Sequence, residues 1–432
     1  MRSSRFRGGG RQPVLLLLLG LLLSCQAAAA ELLAPARLDA VLDEHVEMGS
    51  HPFLYARVED GQGRLIYEHG AANGELAPEQ EAAGDTWMRI WSMTKLVTTV
   101  LVLDLVEDGV LGLDDPVGRF IPEFKQLRVA AAPDGRSLAA IAAGKEGLDA
   151  ACPFAAVELA AAMTVEDLLN HKAGFYYGNT GVPCLDEPLA KQALPLSAST
   201  DEFIAKLARL PLIEQPGERY YYGLNTTVLG FVAERAAGSS LKALVEERIT
   251  GPFAIRGLRY DLPDGVALPG RFTGAGGKLR PAAVSDLDLM GPGVPRYEPQ
   301  GKLHLGGEGM IATAEGFADF LQILLGGGRW QGRRLLEAET VLDMTSPKTQ
   351  LDNPFGYSGY TLWINNGRRP DGSTGPGGLW MGGGYEGTHY WIDPNRRLIG
   401  IIMSQVHEPP ESGWGMADQF RAALYRQIGD LL

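Results

Sequence analysis

The chain has 432 residues, 45% of them hydrophobic, and a formal net charge of −13. That is enough apolar material for one large core or two closely packed lobes. The negative charge is spread along the chain, which argues against nucleic acid or anionic lipid as a partner and leaves a small molecule as the expected substrate.

At the start of the chain Arg2, Arg5, Arg7 and Arg11 precede an apolar stretch from Val14 to Leu23, too short to span a bilayer, and small residues follow. Residues 1–30 therefore read as an export signal and 31–432 as the working domain. Two processing routes are open. One is cleavage after an Ala-x-Ala such as Ala28-Ala29-Ala30; the other is a lipoprotein-type Leu22-Leu23-Ser24-Cys25, with Cys25 as the lipidated N-terminus. Both imply an exported protein, periplasmic or anchored to the cell envelope, with the membrane touched only through lipid on Cys25. Cys152 and Cys184 remain, an even pair bound for an oxidising compartment, so a disulfide is expected, with two free thiols as the alternative. Neither neighbourhood looks like a nucleophile, and the seven histidines show no ligand spacing, so no metal site is assigned.

A helix is expected over residues 38–47, followed by strands over 53–58 and 65–68 around the turn Asp60-Gly61-Gln62-Gly63. Residues 96–107, 165–170, 200–209, 228–236 and 314–325 have helical periodicity. Strands follow over 360–364, 388–392 and 398–404, the last two joined by Asp393-Pro394-Asn395-Arg396, and a helix over 417–428 closes the chain. Strands at both ends with helices between them predict an α+β fold. One antiparallel sheet is built from the N- and C-terminal segments and flanked by helices, with a mostly helical lobe, roughly 96–290, inserted. Segments 129–162, 175–196 and 264–301 read as loop elaborations on that scaffold.

The segment Asp85 to Lys95 ends at the mouth of an apolar helical run. Residues three apart share a helix face, so Ser92 and Lys95 should meet. A serine hydroxyl becomes a nucleophile when a base takes its proton, and a lysine is that base only when neutral, a form favoured by burial and by nearby positive potential. Further blocks along the chain are Leu113-Asp114-Asp115-Pro116-Val117 with Ile121-Pro122-Glu123-Phe124, then Thr164 to His171 with Gly174, and Gly306-Gly307-Glu308-Gly309-Met310 with Thr313-Ala314.

With Ser92-Met93-Thr94-Lys95 as the nucleophile motif, these blocks resemble, collinearly over residues 38–426, the serine β-lactamase-related, penicillin-binding-protein-like hydrolases. That group includes class C β-lactamases, D-alanyl-D-alanine carboxypeptidases and, most similar, family VIII carboxylesterases. The resemblance implies a β-lactamase/transpeptidase-like fold and a tyrosine after a Pro-Gly; counting from Pro216-Gly217 places it on Tyr222, with Tyr220 and Tyr221 as packing or rim residues. Leu224 stands where lactamases have Asn, a departure shared by the esterases, although a one-residue shift would bring Asn225 into that role. Lys348-Thr349-Gln350 imitates the third lactamase motif, lacks its glycine and precedes the strand that should carry it. The expected position is Trp380-Met381-Gly382, similar to the Trp-x-Gly of the esterases, with Gly383 and Gly384 as alternative registers. There, glycines would let backbone approach the substrate, and one N–H of the strand with that of Ser92 would form an oxyanion hole. No lysine follows Lys348; Arg368 and Arg369 are candidate substitutes for the carboxylate-holding lysine of lactamases. In the resemblance His171 is structural; His389 is left open, and Trp91 and Asn225 are candidate pocket residues.

The implied activity is two-step acyl transfer by Ser92, Lys95 and Tyr222 on a small ester or amide, without a cofactor. A D-amino-acid peptidase, carboxypeptidase or β-lactamase is the alternative enzyme. An inactive relative that binds a peptide or glycan is the alternative of another class.

Overall fold

The computed structural model describes residues 32, 34–77, 80, 82–148, 151–352, 355–368, 376–410 and 413–428. The expected export signal, with both of its processing sites, lies outside these residues.

Helix α1 (Ala36–Glu47) leads into strands β1 (Phe53–Asp60) and β2 (Leu65–Ala72), paired antiparallel. Their turn is closed by Asp60, whose Oδ1 accepts the backbone N–H groups of Gln62 and Arg64. This is the local side-chain turn that Asp favours. Helix α2 (Thr94–Glu107) follows and is buried on nearly every side, only Asp104, Val106 and Glu107 reaching the surface. A helix apolar all round is a core helix, and α2 lies between the sheet and the inserted lobe.

The lobe contains α3 (Val165–Leu169), α4 (Pro183–Gln192) and α5 (Asn225–Ala237), the last packed on α2. Thr164 and Asp167 close a reciprocal capping box at the start of α3. The chain then returns through α6 (Ala314–Leu325) to β3 (Thr349–Gln350), β4 (Tyr357–Ser358), β5 (Trp363–Ile364), β6 (Trp380–Gly384), β7 (Thr388–Asp393) and β8 (Leu398–Met403), and ends in α7 (Gly413–Ile428). Among the described residues the sheet has eight antiparallel strands in the order β3-β4-β5-β6-β7-β8-β1-β2, so the pair β8·β1 joins the two ends of the chain.

Alternate residues of the central strands enter two cores. Leu54, Ala56, Trp391 and Ile402 pack against α1 and α7 through Leu38, Leu42, Phe420 and Leu424, whereas Phe53, Tyr55, Tyr390 and Ile401 share the larger core of α2, α6 and the lobe. With both faces covered, β7 and β8 are buried along their whole lengths. The architecture is the expected α+β sheet with an inserted helical lobe.

Three expectations change in detail. The strand expected over 360–364 shrinks to two residues, because Tyr360 turns inward to donate to Glu166 Oε1 (2.7 Å) and Thr361 takes φ 57°. Segment 129–162 carries a short antiparallel pair, Val129–Ala131 with Ala155–Val157, and a helix, Leu138–Gly144. Segment 264–301 is tied to the sheet's end by Phe272–Thr273, which runs parallel to Val406–His407. Cys152 and Cys184 form a disulfide. Among the described residues no helix is long and apolar enough to cross a membrane.

Candidate active site

Ser92 sits in a 3-10 turn, Trp91–Met93, immediately before α2, not within the helix itself. Trp91 holds φ 43°, the left-handed region, which a bulky residue occupies only when its surroundings enforce it. The enforcement is visible: the fully buried Trp91 indole donates to Glu386 Oε2 at 2.7 Å and meets the Tyr385 ring edge-on at 5.3 Å. Glu386, also sealed from solvent, accepts Arg271 Nε at 2.6 Å. A buried carboxylate thus ties the nucleophile turn, the strand β6 corner and the 264–301 segment together. Trp91 is a core residue and does not line the cleft, contrary to its candidacy as a pocket residue.

The Gly306–Ala312 stretch runs along the other side of the turn. Met88–Arg89 pairs with Ile311–Ala312, Met310 N–H donates to Thr94 Oγ1 at 3.1 Å, and Thr98 Oγ1 donates to the Gly306 carbonyl at 2.7 Å. A Cβ on Gly307 would lie 2.6 Å from Thr227 Oγ1 and 3.2 Å from Lys95 Nζ, so a side chain there would displace the lysine.

Lys95 Nζ is 3.1 Å from Ser92 Oγ, as the three-residue spacing requires, and the lysine is 1% exposed. Its other neighbours are the Gly307 carbonyl and the Tyr177 oxygen, each at 2.9 Å, and Glu308 Oε1 at 3.4 Å. The Tyr177 hydroxyl donates to the same Glu308 oxygen, and Thr227 Oγ1 donates to Oε2 at 2.7 Å. Burial, with the Glu308 carboxylate second, pushes the Tyr177 phenol well above its ordinary value, so Tyr177 keeps its proton. The charge nearest Lys95 is thus a carboxylate, where positive potential was expected.

Tyr222 faces the same lysine with its ring, 5.1 Å from Nζ to the centroid, stacked on His171 at 4.8 Å and flanked by Tyr177 and Trp363. His171 is wholly buried; burial, then Lys95, lowers it to about 3, so it stays neutral, and its Nδ1 lies 3.2 Å from Asn225 Nδ2. Asn225 also donates to the carbonyls of Phe175 (3.3 Å) and Tyr221 (3.1 Å). At 0% exposure it braces the loop at the head of α5 and is not a pocket residue. Leu224, its neighbour, is buried in the core.

Strand β6 pairs with β7 along its length, but with β5 only at Trp380 and Met381, so among the described residues Gly382, Gly383 and Gly384 have no partner strand on that edge. A Cβ on Gly384 would come within 2.4 Å of the Ile90 carbonyl, two residues before Ser92, so the backbones touch only because Gly384 has no side chain. Trp380, half-buried, begins the strand. Lys348 is far from this edge: it lies beside β3, paired with Asp343 and over the Tyr360 ring. Arg368 is exposed, and Arg369 lies outside the described residues. His389 is buried on β7 and lowered by burial to about 3.

Two site residues escape the motifs. Tyr177 belongs to a segment that reads as a surface elaboration yet begins inside the site; its signal is its place three residues after Gly174. Glu308 is a lone charge among glycines within a recognised block, and that incongruity was its signal.

The sequence profile of the Beta-lactamase family matches residues 38–423. The chain belongs to that family. Among its relatives is Protein Rv1367c of Mycobacterium tuberculosis, 32% identical over 347 residues, which are 74% of this chain and 78% of that one. Lovastatin esterase of Penicillium rubens is 26% identical over 423 residues, 90% and 98% of the two chains. Among solved structures, EstCE1, described as a hydrolase with promiscuous acyltransferase activity, superposes with a TM-score of 0.70 at 21% identity, covering 90% of this chain and 98% of its own. These findings make the chain a β-lactamase-fold member of a hydrolase and acyltransferase family with esterase homologues.

Proposed function

We propose that the protein is a serine hydrolase that forms an acyl-enzyme on Ser92 from a small ester. The observation that carries the reading is the 3.1 Å approach of Lys95 Nζ to Ser92 Oγ, with the lysine buried and Ser92, Tyr222 and Trp380 partly exposed above it. Ser92 Oγ attacks the carbonyl carbon as its proton passes to Lys95. Tyr222, against the same lysine, hands its proton to the leaving alcohol and takes the serine proton back from Lys95 in exchange. The backbone N–H of Ser92 and one from the unpaired edge of Gly382–Gly384 receive the oxyanion, and Trp380 borders the substrate. Water, or a second alcohol, then releases the acyl group.

Leu224, buried where an amide-binding Asn would stand, and the absence of any lysine after Lys348 favour an ester over a lactam or D-peptide. The esterase names among the relatives point the same way. The basic, apolar and small-residue order of residues 1–30 supports export, with the protein periplasmic or anchored by lipid on Cys25.

The deciding experiment is mass spectrometry of the intact protein after short exposure to a p-nitrophenyl ester and, separately, to a penicillin. Rapid ester turnover without a lasting penicillin adduct is expected. A stable or turned-over penicilloyl group on Ser92 would instead make it a cell-wall-peptide or lactam enzyme, and failure of a serine-directed phosphonate to label Ser92 would reduce it to a binding protein.

A further inference from the structure

Lys95 has more oxygen neighbours than an ammonium has protons. Four oxygens surround Nζ: Tyr177 and Gly307 at 2.9 Å, Ser92 at 3.1 Å and Glu308 at 3.4 Å. The Gly307 carbonyl can only accept, and the Tyr177 proton points to Glu308, so its oxygen also accepts. A neutral amine satisfies both of these nearest contacts with its two N–H groups, leaving its lone pair for the Ser92 hydroxyl. The proton given up must then reside elsewhere, and with Lys95 and Glu308 both sealed from water, moving it inside the site creates no unpaired buried charge.

We propose that Glu308 is a positioning residue for the base, resting on the acyl-enzyme reading above: it stores the proton that Lys95 must lose before it can activate Ser92. One proton passes from Lys95 Nζ to the Tyr177 oxygen while Tyr177's own proton passes to Glu308 Oε1. The ammonium and carboxylate become an amine and a carboxylic acid, Tyr177 ends as the phenol it began, and no atom enters or leaves. Thr227 Oγ1, 2.7 Å from Oε2, fixes the carboxyl plane. The other titratable groups around the chain do not compete. His171 is held neutral, and Tyr260 and Tyr390 are kept as phenols by burial, while Tyr222 presents its ring to Nζ.

The test is kcat/KM for p-nitrophenyl acetate, measured from about pH 5 to about pH 10 on the full chain, Glu308→Gln and Tyr177→Phe. With the proton kept in the site, the wild-type rate is flat through neutral pH. In Glu308→Gln, Lys95 must release its proton to solvent, so the rate climbs about tenfold per pH unit over that range and is roughly a thousandfold below wild type at pH 7. Tyr177→Phe cuts the bridge with Glu308 in place, and the expected result is a roughly tenfold loss with the wild-type profile shape. An acid limb that moves below wild type in Glu308→Gln would make Glu308 a mere counter-ion and overturn the proposal. An unchanged profile, or full activity in Tyr177→Phe, would overturn it equally. Ser92→Ala separates the two levels. Retained turnover there defeats the acyl-enzyme reading, whereas phosphonate-labelled Ser92 with an unaltered Glu308→Gln profile defeats only the role of Glu308.

Discussion

At the scale of single residues, the acyl-enzyme reading makes Ser92 and Lys95 one unit, a nucleophile and its base 3.1 Å apart. Ser92→Ala and Lys95→Ala should each lower kcat by roughly a thousandfold or more, and together cost little more than either alone. Tyr222→Phe should slow acylation and deacylation by about a hundredfold, read by stopped-flow on a p-nitrophenyl ester; a wild-type rate would move the proton relay elsewhere. Glu386 does a different job. Its carboxylate satisfies the Trp91 indole and Arg271 together, so Glu386→Ala leaves a buried and a partly buried donor unpaired. A loss of about 3 kcal/mol in urea unfolding is expected, with kcat falling as Trp91 relaxes from φ 43°. Ser92, Lys95 and Tyr222 could be singled out in sequence because each lies in a local motif, and the fold brings the three side chains together. Glu308, Tyr177 and Glu386 were not, because their partners are 80 to 300 residues away: Lys95 to Tyr177 spans 82, and Trp91 to Glu386 spans 295.

Elements carry two further expectations. Strand β6 reaches the nucleophile turn only because Gly384 has no side chain, so Gly384→Ala should drive the strand off the Ile90 carbonyl. Turnover should fall while phosphonate labelling of Ser92 persists; unchanged kcat would show that this edge does not serve the reaction. The Cys152–Cys184 disulfide closes a loop with a sequence separation of 32 and anchors the start of α4, so Cys184→Ser should lower stability by about 3 to 4 kcal/mol, measured as a shift in the urea midpoint. At this scale the sequence was most readable where period and burial agree. The β1·β2 hairpin and the β7·β8 pair follow from strand-forming runs and turn residues. The two-residue β5 does not, since Tyr360 is drawn inward by Glu166, a contact no local pattern announces. The start of α5 at Asn225 likewise depends on His171 and Phe175 from another segment.

Over the whole molecule, three histidines are folded into places where they cannot be charged. His51, His171 and His389 are each lowered from 6.5 to about 3, in every case chiefly by burial. In the unfolded chain all three take up protons as the pH falls through 6.5, whereas the folded protein takes them up only near 3. Asp319 works in the opposite sense, because burial pushes its carboxyl up to about 6 and the folded form binds that proton first. Between about pH 6 and pH 4 the unfolded chain therefore binds some two protons more than the folded one. Stability should be fully present above 6.5 and fall by about 3 kcal/mol per pH unit below 6. Urea unfolding at pH 7, 6 and 5 measures this directly. Removing one imidazole without adding charge, as in His389→Asn, lowers the unfolded chain's uptake by one proton and should roughly halve the slope. A wild-type stability that stays level from pH 7 to pH 5 would mean that the buried histidines gain protons without unfolding, and that the core around β7 and the Tyr222 stack admits charge.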